Sequence, residues 1–175
     1  MDTRPTSDRL RETLFNVLAV RIKDARFLDL YAGSGAVGLE ALSRGAAEVV
    51  FVERAQPALK ALRMNMDRLG VRARVQPVGV ASFVRKSEGA RFDLIFLDPP
   101  YDAAEEYETV LTAASGLLAP DGLVIAEHRR KDKLAERYGR LARTRLLEQG
   151  DAALSFFAAG GGGQGLGTEG TGIRE

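Results

Sequence analysis

The chain has no cysteine, which removes disulfides and thiolate metal sites and fits a reducing compartment, the cytoplasm. It has no apolar run near the roughly 18 residues that a membrane helix needs. Its opening, Met1-Asp2-Thr3-Arg4-Pro5, lacks the apolar core of a signal peptide. A soluble protein with no membrane contact is expected. Bulk charge is also missing: the formal net charge is +1, so the molecule is no polycation that coats nucleic acid indiscriminately. Histidine occurs once, at His128, and a lone histidine with no sequence partner reads as incidental rather than catalytic. No metal site is expected.

What is present suits one domain. With 175 residues, 45% hydrophobic and 28% charged, the chain is long enough for one well-buried core and too short for two ordinary domains. Residues 1–159 are assigned to that domain, and 160–175, with eight glycines and little to bury, to a disordered tail. Charge is uneven within the domain. Eight basic residues between Arg129 and Arg145 face only Asp132 and Glu136, a candidate phosphate-facing patch that equally fits a solvated helix face.

Apolar runs alternate with helical stripes, the pattern of a parallel sheet with crossover helices. Leu10, Leu14 and Leu18, with Phe15 and Val17 beside them, predict an amphipathic helix over 8–18. Strands are expected at 26–31, 49–53, 74–78, 92–98 and 123–127, the fourth with the unbroken apolarity of a strand buried on both faces. Pro120-Asp121-Gly122 reads as a turn into the fifth strand, and a charged helix is expected from there to about Tyr138. The runs 141–147 and 153–157, parted by Glu148-Gln149-Gly150-Asp151, read as an antiparallel hairpin at the sheet edge.

Two motifs fall where open α/β sheets bind ligands. The first is Asp29-Leu30-Tyr31-Ala32-Gly33-Ser34-Gly35-Ala36-Val37-Gly38, between a strand and a helix. Its glycines satisfy G-x-G-x-x-G, so a dinucleotide site has to be weighed. Glu53, ending the next strand, is placed for the ribose hydroxyls that either cofactor class offers. Asp29 separates the classes. A carboxylate there repels a pyrophosphate but gives a charge-assisted hydrogen bond to the ammonium group of S-adenosylmethionine.

The second motif is Asp98-Pro99-Pro100-Tyr101. An exocyclic amino nitrogen of a base is a poor nucleophile because its lone pair is delocalised into the ring. The Asp98 carboxylate and the Pro99 carbonyl together accept both amino protons, aiming the lone pair at a methyl carbon. Two prolines in succession hold that carbonyl rigid. Tyr101 offers a ring on which the base stacks. The same tetrapeptide serves adenine-N6 methylation of DNA, which a chain this short, with no room for a sequence-reading domain, disfavours. A nicotinamide-dependent oxidoreductase and a non-catalytic RNA-binding module are the readings from other classes.

With these residues in place, residues 4–157 resemble the RsmD-type guanine-N2 methyltransferases of bacterial small-subunit ribosomal RNA. The most specific likeness is the N-terminal Arg4-Pro5-Thr6-Ser7-Asp8-Arg9-Leu10-Arg11-Glu12-Thr13-Leu14-Phe15-Asn16. Phe27 to Gly35, Leu97 to Tyr101 and Leu154-Ser155-Phe156-Phe157 also match. The resemblance implies a Rossmann-like class I S-adenosylmethionine-dependent methyltransferase fold: a seven-stranded, mostly parallel sheet with an antiparallel edge and helices on both faces. It implies a cofactor held by Asp29, Gly33, Gly35 and Glu53 and a guanine amino group held by Asp98 to Tyr101; the cofactor site is expected to take in Tyr31, Ala32, Ser34, Arg54, Ala81 and Asp98 as well. It further implies ribosomal RNA of the small subunit as partner. Arg4, Arg9 and Arg11, ahead of the first strand, and Arg129 and Arg130, of the basic run, are the expected RNA contacts, and a monomer is expected. The chain departs from the family at Val78-Gly79-Val80-Ala81, where an acidic or amide residue usually meets the adenine. Backbone or Ser82 is left to take that part.

Overall fold

The computed structural model describes residues 5–100 and 104–160, with side chains described from Asp8 onward. The elements follow in the order α1 (Pro5–Val17), β1 (Arg26–Leu30), α2 (Ala36–Ser43), β2 (Glu48–Val52), α3 (Gln56–Leu69), β3 (Arg74–Gln76), α4 (Val80–Lys86), β4 (Phe92–Leu97), α5 (Ala104–Ala114), β5 (Leu118–Arg129), β6 (Arg137–Tyr138), β7 (Leu141–Gln149) and β8 (Ala152–Ala159). One sheet of eight strands runs β3-β2-β1-β4-β5-β8-β7-β6. The first five strands are mutually parallel, and β8 returns antiparallel between β5 and β7. The fold is that of the class I methyltransferases with one strand more than the expected seven, the extra being the two-residue β6, paired antiparallel to β7.

The period-two alternation of the strands sorts the core into two layers. Leu28, Leu30, Val50, Val52, Ile95, Leu97, Val124 and Ala126 face α4 and α5. Phe27, Val49, Phe51, Leu94, Phe96 and Ile125 face the other way, where Leu10, Leu14 and Phe15 of α1, Leu18 just after it and Leu62 of α3 complete the layer. The predicted α1 stripe is therefore the buried face, and all four of its named residues are at most 3% exposed. Thr13 Oγ1 donates to Gln149 Oε1 at 2.7 Å, tying α1 to β7. No helix among the described residues is long and apolar enough to cross a membrane.

Two expectations are corrected. The segment after the fifth strand is not a charged helix to Tyr138 but a loop leading into β6. Its apolar residues are too few for a helical stripe, and tertiary contacts outweigh helix propensity. The Tyr138 ring packs edge-on against Phe157 at 5.6 Å, and its hydroxyl accepts the Ala135 amide at 2.8 Å. Pro120-Asp121-Gly122 does not precede the strand but bulges within it. Phe92 pairs with Leu118 and Leu94 with Leu123, so the residues between loop out, with Asp121 at φ 67°.

Candidate active site

The glycine loop is built by carboxylates. Gly38 N donates to Asp29 Oδ2 at 2.9 Å, and Gly33 N donates to Glu53 Oε1 at 2.8 Å. The other Glu53 oxygen accepts Arg54 N at 3.1 Å and Ala55 N at 2.9 Å. Gly35 N closes the turn on Ala32 O at 2.9 Å, and Asn65 Nδ2 holds Ser34 O at 3.0 Å. The three motif glycines are there for different reasons. Gly33, at φ 59°, has open space where a Cβ would stand. Gly35, at φ 90°, and Gly38 are packed instead: a Cβ would lie 2.3 Å from Leu62 Cδ1 at the former and 2.3 Å from Phe51 Cε1 at the latter. Only the first of them fits the reading that ligand approach demands glycine.

Beside the loop lies a cleft of about 200 Å³. Its walls are the loop residues Tyr31, Ala32, Gly33 and Ser34, the start of α2 at Ala36 and Val37, and Leu10, Arg11 and Leu14 of α1. Its floor is the carboxyl edge of the sheet: Asp29 of β1, Phe96 and then Asp98 after β4, Glu127 of β5 and Leu154 of β8. Among the described residues, three carboxylates and one guanidinium line it. By strand alternation Asp29, Asp98 and Glu127 share the face of Phe27, Phe96 and Ile125. Asp29 is 1% exposed, and burial, with Asp98 and Glu53 nearby, holds its carboxyl well above the usual range despite the Gly38 hydrogen bond.

Of the residues singled out in the sequence, Asp29, Tyr31, Ala32, Gly33, Ser34 and Asp98 come together on this cleft, and Arg11 joins them. Glu53 and Gly35 shape the loop from behind, while Arg54 and Ala81 are exposed and outside the lining. Pro99 is buried and Pro100 exposed. Tyr101 and Arg4, like residues 161–175, lie outside the described residues. Tyr31 adopts φ 60° and donates its hydroxyl to Glu106 of α5, which together with burial raises the phenol's pKa. Arg9 is exposed, and Arg11 pairs with Asp8 at 3.2 Å. The basic segment is partly neutralised: Arg129 pairs with Asp132, Arg143 with Glu136, and Arg130 and Lys133 both with Glu148. Among the described residues no group of three or more His, Cys, Asp or Glu is placed to hold a metal ion.

Glu127 went unremarked in the sequence except as a strand end. The signal was there, because it lies at the carboxyl edge of β5 as Asp29 and Asp98 lie at those of β1 and β4. His128 is inside β5 and 6% exposed. Its Nε2 meets Ser155 Oγ at 2.8 Å, its Nδ1 meets the carbonyls of Arg129 and Asp132, and Tyr107 packs edge-on against the ring. Residues 1–158 match the family described as Conserved hypothetical protein 95. The chain belongs to this family.

Ribosomal RNA small subunit methyltransferase D of Escherichia coli (strain K12) is 43% identical over 126 residues, which are 71% of this chain and 63% of that protein. The match thus spans somewhat less than two thirds of that relative, and the RsmD-type resemblance stands. The solved structure of yhhF from Escherichia coli superposes with a TM-score of 0.78 at 35% identity, covering 86% of this chain and 85% of the other. A Thermus thermophilus 16S rRNA N2 G1207 methyltransferase, RsmC, solved with AdoMet and guanosine, gives a TM-score of 0.73 at 25% identity over 90% of this chain and 43% of its own.

Proposed function

We propose that the protein uses S-adenosylmethionine to methylate the exocyclic N2 of a guanine in 16S ribosomal RNA of the small ribosomal subunit. The observation that carries this is the meeting of Asp98, at the head of Asp-Pro-Pro, with Asp29 and the glycine loop in one cleft. Family membership and the E. coli and Thermus relatives support the RNA substrate and the guanine.

The cleft fits this cofactor. Among the described residues it is lined by Asp29, Asp98 and Glu127 against Arg11, so it favours a ligand carrying positive charge. Asp29 is buried with its pKa already raised, a state that an incoming cation relieves. The loop amides that would cradle a pyrophosphate are spent on Glu53 and Asp29, which disfavours the nicotinamide reading. Asp29 and the backbone from Ala32 to Ser34 would hold the methionine end and Glu53 the ribose. When bound, the cofactor supplies a methyl carbon on a cationic sulfur, which takes up the bond electrons as the nitrogen lone pair attacks.

The chain's own residues do the rest. Asp98 and the Pro99 carbonyl accept hydrogen bonds from the two amino protons and free the lone pair, and one of those protons leaves to Asp98 or to water as the N–C bond forms. The buried Pro99 and its proline successor keep that pair of acceptors from reorganising. Leu10 and Leu14 of α1 and Phe96 cover the cleft with apolar surface, limiting water at the reacting atoms. Arg11 and Arg9, at and near the mouth, meet phosphates. The test is to map methylated nucleotides in 16S ribosomal RNA from cells with and without the protein. One N2-methylguanosine disappears in its absence; an unchanged map, or loss of an N6-methyladenine in DNA, refutes the reading.

A further inference from the structure

We infer that Glu127 reads the target base, accepting the N1–H of guanine next to the amino group that Asp98 holds, and so sets the choice of guanine over adenine. The inference rests on the guanine-N2 reading above and adds a residue to it. Strand register places the two carboxylates side by side. Leu97 of β4 pairs with Ala126 of β5 in parallel, so Asp98 and Glu127 follow at one level on neighbouring strands, about 4.8 Å apart by strand spacing. Both line the same cleft.

The base of Glu127 is held on several sides. Tyr107 Oη of α5 donates to the Glu127 carbonyl at 2.8 Å, and Glu127 pairs with Leu154 across β8. The next residue, His128, is pinned to Ser155 of β8 at 2.8 Å and to the Arg129 and Asp132 carbonyls. A carboxylate rising from so fixed a strand end is preorganised to read a base edge.

The chemistry of the two purines does the sorting. Guanine presents N1–H and the N2 amino group as adjacent donors, and Asp98 with Pro99 uses only the amino protons. An N1–H enclosed without an acceptor costs the desolvation of a buried donor. Glu127 supplies that acceptor. Adenine carries an acceptor at N1 beside its amino group, and a carboxylate facing that lone pair is repelled. A site with a fixed acceptor discriminates more sharply than a hydrophobic slot.

The experiment compares the target guanosine with 2-aminopurine riboside at the same position of the RNA. That analogue keeps the 2-amino group but carries an unprotonated N1. Single-turnover methyl transfer is measured for the wild type and for Glu127→Gln, with S-adenosylhomocysteine affinity measured on both. The wild type favours guanine. Glu127→Gln slows guanine by roughly 10- to 100-fold, the loss of one hydrogen bond to a charged group, and narrows or inverts the preference because its amide N–H donates to the analogue's N1. S-adenosylhomocysteine affinity falls only a few-fold, the loss of one of the three carboxylates lining the cleft, far less than the guanine rate. An unchanged guanine to 2-aminopurine ratio overturns the inference, as does a fall in S-adenosylhomocysteine affinity that tracks the rate. A wild type that never methylates guanine instead overturns the parent reading, and the inference falls with it.

Discussion

Replacing Gly38 by alanine sets two known magnitudes against each other. Within α2, alanine is favoured over glycine by about 1 kcal/mol. Against this, a Cβ at position 38 would lie 2.3 Å from Phe51 Cε1, 2.8 Å from Phe51 Cζ and 2.9 Å from Val49 Cγ1. Phe51 is 0% and Val49 1% exposed, so neither side chain has room to swing aside. Overpacking of this kind costs about 1–3 kcal/mol, and three contacts below 3 Å put this case at the upper end. The net loss is about 2 kcal/mol, a fall in Tm of roughly 4–8 °C for a chain of this size. Gly33→Ala is the counterpart. Its Cβ meets nothing within 4 Å at φ 59°, so only strain of about 1 kcal/mol is lost and Tm falls by about 2–4 °C. Its methyl intrudes where the loop borders the cleft, and S-adenosylhomocysteine affinity drops at least ~10-fold. Scanning fluorimetry with and without S-adenosylhomocysteine measures both variants. A Gly38→Ala protein melting at or above the wild type would refute the packing account of this glycine.

Three further outcomes are expected. Asp98→Ala lowers kcat at least ~100-fold while S-adenosylhomocysteine affinity changes only a few-fold, whereas Glu53→Ala, which removes the acceptor of Gly33 N at 2.8 Å, mainly weakens cofactor binding; titration calorimetry beside single-turnover rates separates them, and reversed effects would exchange their roles. Burial raises the Asp29 pKa, so its favourable share of stability stands below the unfolded value near 3.8 and is lost as pH rises through the folded one. Asp29→Asn keeps an acceptor for Gly38 N, hence melts higher than the wild type in the ligand-free state at pH 8 and binds S-adenosylhomocysteine more weakly, and a lower melting point at pH 8 contradicts this. For His128 the folded pKa lies below 6.5, chiefly through desolvation, so its stabilising share is complete above pH 6.5 and shrinks as pH falls below it toward the folded value; His128→Gln flattens that acid limb of a Tm against pH curve, and an unaltered limb rules His128 out as its source.

The parts of the fold written in local pattern were legible in the sequence. Leu94-Ile95-Phe96-Leu97 announced a strand buried on both faces, and the spacing of Leu10, Leu14 and Leu18 announced the face of α1. What escaped was decided by distant partners. The stretch after β5 is highly charged and carries too few apolar residues for a helical stripe, while the packing of the Tyr138 ring on Phe157 ties its far end to the sheet. Glu127 was visible as a letter, but its meaning depends on the β4 and β5 register that places it beside Asp98. The basic run looked more positive than it is, because Glu148, which pairs with Arg130 and Lys133, arrives from a later strand.

The glycine loop shows how one spacing serves opposite charges. A strand, a glycine turn and a helix start present backbone amides, and left open such a nest attracts phosphate. Here two of those amides are taken by carboxylates of the protein, Gly33 N by Glu53 and Gly38 N by Asp29. Each carboxylate, once ionised, outweighs the partial positive charge of the amide it accepts from, so the loop no longer presents those amides to an anion. Asp98 and Glu127, ending the adjacent strands on the same face, extend that field along the cleft. A diphosphate entering would displace bonds already made and meet three acids. A ligand with an ammonium and a sulfonium meets the acids alone and leaves the loop intact. The motif's glycines specify a turn; the acidic residues at the carboxyl edges of β1, β2, β4 and β5 specify what the turn will hold.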